Sequence, residues 1–230
     1  MTRIKNAIIM ALLLLTGSFT SRMAAQEADY KWSIGAGLGM SGYIGEYNGN
    51  NPFSHPGLAV TATGSYEYNV RWSFACMGTI STVSGNVSSL SGAYPEWMKE
   101  KFNSMTGELS FRAEFNFFPY GIGETYKSLK RWTPYLAAGV GFIMAKPKGS
   151  SFGIAPELPL AFGVKFKVNK RFNLLAELSF TKTFTDVIDG AKDIYGISSS
   201  WFKNTDWMSA LTVGFRYEFG ERCATCHYVD

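Results

Sequence analysis

Histidine is nearly absent: only His55 and His227 occur in the 230 residues. Serine triads and zinc sites need histidine held close to its partners. His55 precedes the second strand-like segment and His227 lies in the C-terminal tail, so the two are not expected to share a site. The acid pairs Asp186/Asp189 and Glu108/Glu114 have no recognisable base or nucleophile beside them. No enzyme is expected. Cysteine is scarce too, and Cys76, Cys223 and Cys226 are too few for a disulfide-built scaffold.

Long apolar runs are missing after the N-terminus, which excludes transmembrane helices from the rest of the chain. The N-terminus itself has Arg3 and Lys5, the apolar run "AIIMALLLL" and small residues at Ala24 and Ala25, the pattern of a secretory signal peptide over residues 1–25. Its removal takes Arg3, Lys5 and Arg22 with it and lowers the net charge from +4 to +1. So balanced a chain does not suggest a nucleic-acid partner.

What fills the chain instead is alternation. In "MTGELSFRAEFNF", Met105, Leu109, Phe111, Ala113, Phe115 and Phe117 fall on one face and Thr106, Glu108, Ser110, Arg112, Glu114 and Asn116 on the other. A period of two is a strand with unlike faces. Eight such segments are predicted, at 32–43, 57–68, 72–83, 104–118, 132–142, 157–168, 172–184 and 207–219. The tight turns "NVR" and "NKR" alternate with long loops rich in Gly, Ser, Asn and Pro, and only residues 119–131 are long where a turn should be short. That asymmetry predicts an all-β, eight-stranded antiparallel transmembrane barrel of the outer-membrane type over residues 26–219. The tail 220–230 follows it, with both termini expected in the periplasm.

A soluble barrel of the lipocalin kind would keep its apolar side chains inside. Here the face opposite Trp32, Ile34, Leu38 and Met40 is Ser33, Gly35, Gly37 and Gly39, and Ala137, Gly139 and Gly141 repeat the theme. Small residues suit a crowded interior, and eight apolar faces exceed what a narrow lumen holds. The apolar faces are therefore expected to meet lipid. Aromatic girdles are expected from Trp32, Tyr68, Trp72, Phe117, Trp132, Phe172 and Phe219 at the short-turn end and from Tyr43, Phe184 and Trp207 at the loop end. Lys182 falls on the outward face at the loop-side rim, where a cation is tolerated.

Inward positions hold Glu67, Glu108, Glu114, Glu177 and Glu218 against Arg112, Lys165, Lys167 and Arg216. In so narrow a barrel these side chains are expected to form a salt-bridged plug rather than a small-solute pore. The tail reads Cys223-Ala-Thr-Cys226-His227, the spacing of c-type haem attachment. With no apolar pocket or second axial ligand in view, neither haem nor a metal is expected, and a local Cys223/Cys226 disulfide or free thiol pair is. No cofactor is expected elsewhere. Cys76 is predicted to face lipid as a small apolar residue.

Several stretches carry more than alternation: "GLGMSGYIGEYN", "ELSFRAEFNFFPYG", "TPYLAAGVGF", "GVKFKVNKRFNLLAELSFTKTFTDVIDG" and "RCATC". In these the chain resembles the PorG-type barrels of the type IX secretion system. It departs from them after Thr183-Phe184-Thr185-Asp186, which continues Val187-Ile188-Asp189-Gly190, and in having a second tail cysteine. The resemblance implies a structural role: an integral barrel that ties the periplasmic ring of PorK-type lipoprotein and PorN-type protein to the outer membrane. A filled barrel acts through its rims. The candidate contacts are Tyr120, Tyr126, Lys127, Lys130 and Arg131 in the long turn, with Arg222 and Tyr228 in the tail. The other reading is a general small barrel with an adhesive or envelope-stabilising role through loops 84–103 and 185–206.

Overall fold

Successive side chains leave opposite faces of a strand, so strands that each carry one apolar and one charged face can shield the charged set by rolling into a tube. The computed structural model describes residues 30–44, 55–86, 101–122, 128–147, 152–184 and 207–221. They form β1 (Tyr30–Ile44), β2 (Gly57–Glu67), β3 (Trp72–Asn86), β4 (Lys101–Asn116), β5 (Trp132–Pro147), β6 (Gly153–Lys167), β7 (Phe172–Thr183) and β8 (Trp207–Glu221). Each strand pairs antiparallel with the next, and β8 pairs with β1 to close the barrel. No helix occurs among the described residues.

Burial runs opposite to that of a soluble protein. Along β6, Ile154, Leu158, Leu160, Phe162, Val164 and Phe166 are exposed, while Ala155, Glu157, Ala161, Gly163, Lys165 and Lys167 are buried. Val140 on β5 is 65% exposed, whereas Glu114 on β4 is fully covered. So wide an apolar exterior would drive aggregation in water and is stable against lipid. Cys76 lies on that exterior face of β3, between Phe74 and Gly78.

All eight strands lie where the alternation places them, but several run further at the loop end. β3 continues to Asn86, β4 begins at Lys101, β5 continues to Pro147 and β6 begins at Gly153. About 9–11 tilted residues cross a bilayer, whereas β4 and β5 have 16 each. The added pairs include Ser84↔Asn103 and Gly85↔Phe102.

The two tight turns share one device. Asn69 Oδ1 accepts from the backbone N–H groups of Arg71 at 2.8 Å and Trp72 at 2.7 Å. Asn169 Oδ1 does the same for Arg171 and Phe172, both at 3.0 Å. An asparagine side chain thus closes each turn as an Asx motif. Asn69→Ala or Asn169→Ala is expected to cost about 1–2 kcal/mol each, read as a lower midpoint in urea unfolding from detergent. Asn→Asp, which keeps the acceptor, should cost less.

Aromatic contacts run around the short-turn end. Trp32 meets Tyr66, Trp72 meets Phe115, Phe118 meets Trp132 and Phe172 meets Tyr217, each edge-on or tilted at about 5 Å. At the loop end Trp207 faces outward under Lys182, whose ammonium lies 5.5 Å from its ring centroid. The expected Lys182 rim position holds, since it pairs in register with the first residue of β8. Tyr43 does not join the girdle. It shares the parity of Ser33 and Ser41, points into the barrel and is fully buried.

Candidate functional site

The lumen is a stack of ion pairs whose positions follow from strand parity. At its centre Glu114 is fully buried and takes three cations. Arg216 donates both guanidinium nitrogens at 2.7 and 2.8 Å, Lys165 donates at 2.7 Å, and Arg112 lies at 3.5 Å. Arg112 is committed chiefly to Glu177, at 2.8 and 3.1 Å, and the Tyr135 hydroxyl donates to the same carboxylate at 2.5 Å. Lys165 also lies over the Tyr135 ring at 4.6 Å. Charges taken out of water persist when paired and hydrogen-bonded, as these are.

Glycine makes room for this layer. A Cβ on Gly163 would lie 2.6 Å from the Tyr135 ring and 2.5 Å from the Ala176 carbonyl oxygen. A cavity of about 30 Å³ lies between Gly37, Thr61, Arg112, Tyr135, Glu177 and Gly214. That admits a water or two.

A second layer shuts the short-turn mouth. Lys167 donates to both oxygens of Glu218 at 2.6 and 2.8 Å, and Asn173 Nδ2 donates to Glu218 at 2.8 Å. The Tyr120 hydroxyl donates to Asn173 Oδ1 at 2.6 Å, with Lys167 5.1 Å from its ring centroid. On the opposite wall Ser65 and Ser33 donate to Glu67 at 3.0 and 3.3 Å, and the two serine hydroxyls also bond each other. Burial, then the nearby Glu218 and Glu67 carboxylates, push the Tyr120 phenol above its ordinary range.

Tyr120 belongs to the long turn, which is tied down at both ends. Its N–H donates to Val70 O of the first tight turn at 3.2 Å, and Gly121 and Lys130 exchange bonds with Lys130 O and Pro119 O at 3.0 and 2.8 Å. Lys130 sits 4.1 Å from the Phe118 ring centroid. The expected contact residues therefore divide. Lys130 and Arg131 are exposed at the short-turn rim, whereas Tyr120 is half-buried and its hydroxyl donates to Asn173 Oδ1 inside the mouth. Tyr126, Lys127, Arg222 and Tyr228 lie outside the described residues, as do Cys223, Cys226 and His227 and the signal segment 1–25.

The lumen network joins Arg112, Glu114, Lys165, Glu177 and Arg216 in one cluster and Lys167 with Glu218 in another. Glu108 stands apart from both, in register with Thr79 on β3 and Ile143 on β5. Sequence reasoning missed Glu157. It has the parity of Lys165 and Lys167 on β6, and that parity was the available signal. Proline at 156 and 159 flanks it and weakens the strand pattern there.

The family model described as "Domain of unknown function (DUF6089)" matches residues 6–228. No curated protein matches the chain. Among solved structures, the fold is similar to that of Neisserial surface protein A (NspA), with a TM-score of 0.52 and 16% identity over 82% of this chain and 97% of that one. Ail, the attachment invasion locus protein of Yersinia pestis, in complex with the heparin analogue sucrose octasulfate, aligns with a TM-score of 0.47 and 14% identity over 83% and 99% of the two chains. OprG from Pseudomonas aeruginosa aligns with a TM-score of 0.47 and 11% identity over 85% and 99%.

Proposed function

The chain belongs to the DUF6089 family, and we propose that it is a non-catalytic outer-membrane barrel that acts through its rims, anchoring the periplasmic ring of type IX secretion machinery to the membrane. The observation that carries the rim-acting part is the sealed lumen. A barrel with ion pairs across its centre and Tyr120 in its mouth offers a solute no path. Its remaining surfaces are the lipid face and the two ends. The ring as partner rests on the sequence resemblance, above all on the β7 stretch ending "TKTFTD" and on "FNFFPYG" after β4.

In this reading the short-turn end is periplasmic. Three-residue turns offer little area there, so the long turn and the tail present most of the contact. Lys130 and Arg131 are suited to a partly polar interface, and the hydrogen bonds from Tyr120, Gly121 and Lys130 hold their segment in place before any partner arrives. A pre-ordered segment loses less entropy on binding.

Two variants test the reading: residues 121–130 replaced by a tight Asn-Gly connection with Tyr120 kept, and a chain truncated after Glu221. Both should insert normally and show the cold-gel mobility of a folded barrel. Co-purification of PorK-type and PorN-type proteins from solubilised membranes should fall at least several-fold in either. Full association of both with the ring would place the contact elsewhere. Absence of the ring proteins from the wild-type preparation, with binding confined to the opposite loops, would favour the adhesive or envelope-stabilising role.

A further inference from the structure

The strands that leave the short-turn end begin alike. β1 opens on Tyr30 and then Lys31-Trp32, while Arg71-Trp72, Arg131-Trp132 and Arg171-Phe172 open β3, β5 and β7. At all four a cation stands directly before an aromatic. At the loop end β2, β6 and β8 start at Gly57, Gly153 and Trp207, the last after Asp206, and only β4 starts on such a pair, Lys101-Phe102. The repeat therefore marks one rim of the barrel.

Backbone pairing sets these cations around the rim. The carbonyl groups of Arg71, Arg131 and Arg171 accept from the N–H groups of Asn116, Lys167 and Glu218 at 2.7, 2.7 and 2.8 Å, near the ends of β4, β6 and β8. Lys31 lies between the two β1 residues that pair with Glu221 and Phe219. Every second strand thus presents one cation, roughly 10 Å from the next along the sheet. Trp32, Trp132 and Phe172 are half-exposed on the outer face, and such rings lie at headgroup level. Arg171 shows how cation and girdle meet: it donates to the Tyr217 hydroxyl at 3.3 Å, and its guanidinium lies 5.4 Å from the Tyr30 ring centroid. Arg71 gives one N–H to the Phe117 carbonyl at 3.0 Å and keeps further donors. Among the described residues no ion pair engages Lys31, Arg71 or Arg131. The nearby acids are taken up inside the mouth, Glu218 by Lys167 and Asn173 and Glu67 by Ser33 and Ser65.

A cation beside a ring that faces lipid suits a ligand that is anionic at one end and apolar at the other. An acidic protein segment supplies only the first. We propose that the short-turn rim binds anionic phospholipids, with Lys31, Arg71, Arg131 and Arg171 holding the phosphate groups and the aromatic after each cation lying against the lipid below. Three of the four are arginine, whose planar fork of N–H donors matches phosphate oxygens. The proposal goes beyond the secretion-ring reading and does not depend on it.

The test uses the full-length barrel alone in vesicles, without ring proteins, so its outcome is separate from theirs. Trp32, Trp72 and Trp132 lie at the sites, and quenching of their fluorescence by brominated acyl chains reads which lipid is beside them. Vesicles of phosphatidylcholine with a minor share of phosphatidylglycerol are made twice, with bromine on one lipid or on the other. Quenching per brominated molecule should be at least several-fold greater for phosphatidylglycerol, and the preference should shrink in high salt, which screens exposed charge. Lys31→Gln, Arg71→Gln, Arg131→Gln and Arg171→Gln together should bring the two lipids to equal quenching, with the cold-gel mobility of a folded barrel retained. Lys146→Gln with Lys182→Gln, at the loop end, should keep the wild-type preference. Equal quenching of the wild type by both lipids in low salt would overturn the proposal and leave the rim cations to a protein partner. So would a folded fourfold variant with the wild-type preference. If that variant does not fold, the wild type decides: a preference that high salt leaves intact would overturn the proposal as well.

Discussion

Glu114→Ala is expected to destabilise the barrel by about 3–5 kcal/mol, the cost typical of breaking a buried charge network from one side. The carboxylate meets Arg216 twice and Lys165 once within 2.8 Å in a site with no exposure. Removing it leaves Arg216 and Lys165 buried together without their counter-ion, while Arg112 retains Glu177. Folded protein should be lost from cold, unheated gels at urea concentrations that the wild type survives. Replacing the partners together should be gentler than replacing one: Glu114→Leu with Lys165→Met and Arg216→Met removes the charges as well as their attraction, and should recover part of the lost stability. A single variant as stable as the wild type would mean that the central ion pairs contribute little.

Val213→Arg is the second large effect, expected at about 2–4 kcal/mol, the cost of a guanidinium near the bilayer midplane. Val213 is 62% exposed on the outer face of β8 and pairs with Leu38 and Ala176, well inside both strand ends. No water reaches a guanidinium there without distorting the bilayer. The native Lys182 supplies the contrast, because it sits beside Trp207 at the rim. Lys182→Arg should fold like the wild type, whereas Val213→Arg should lower the folded yield in lipid vesicles and raise the fraction in the aggregate. Equal folding yields for the two would contradict the lipid-facing assignment of β8.

Strand number, closure order and facing were legible in the sequence because lipid and lumen demand opposite side chains at alternate positions. The alternation at Leu109, Phe111, Arg112 and Glu114 is a direct imprint of those two environments. Beyond the lipid band that contrast ends, so the extensions of β3 and β4 through Ser84↔Asn103 carried no apolar stripe to be read. Tyr43 was misplaced for a related reason. An aromatic at a strand end resembles a girdle residue, and only its parity with Ser41 shows that it points inward.

The inward charges were legible as a set, but their pairing was not. Which acid meets which base depends on register offsets between strands that are distant in sequence, such as β4 and β8 for Glu114 and Arg216. Tyr120 shows the same limit. Its place in a long polar turn is legible, but its bond to Asn173 is not, because only the closed barrel puts Asn173 within reach of its hydroxyl. Glu157 was the costliest omission, because the clearing at Gly141 that admits it arises from β5 and β6 together.

The central claim is that this barrel conducts nothing and works from its ends, and planar-bilayer recording of the purified folded protein tests it most directly. With the Glu114 cluster intact and Tyr120 in the short-turn mouth, the membrane should show no stepwise conductance at moderate voltage beyond that of the lipid alone. Reproducible, ohmic single-channel steps from wild-type protein, altered in size by Glu114→Gln or Tyr120→Ala, would show an open lumen and contradict the claim.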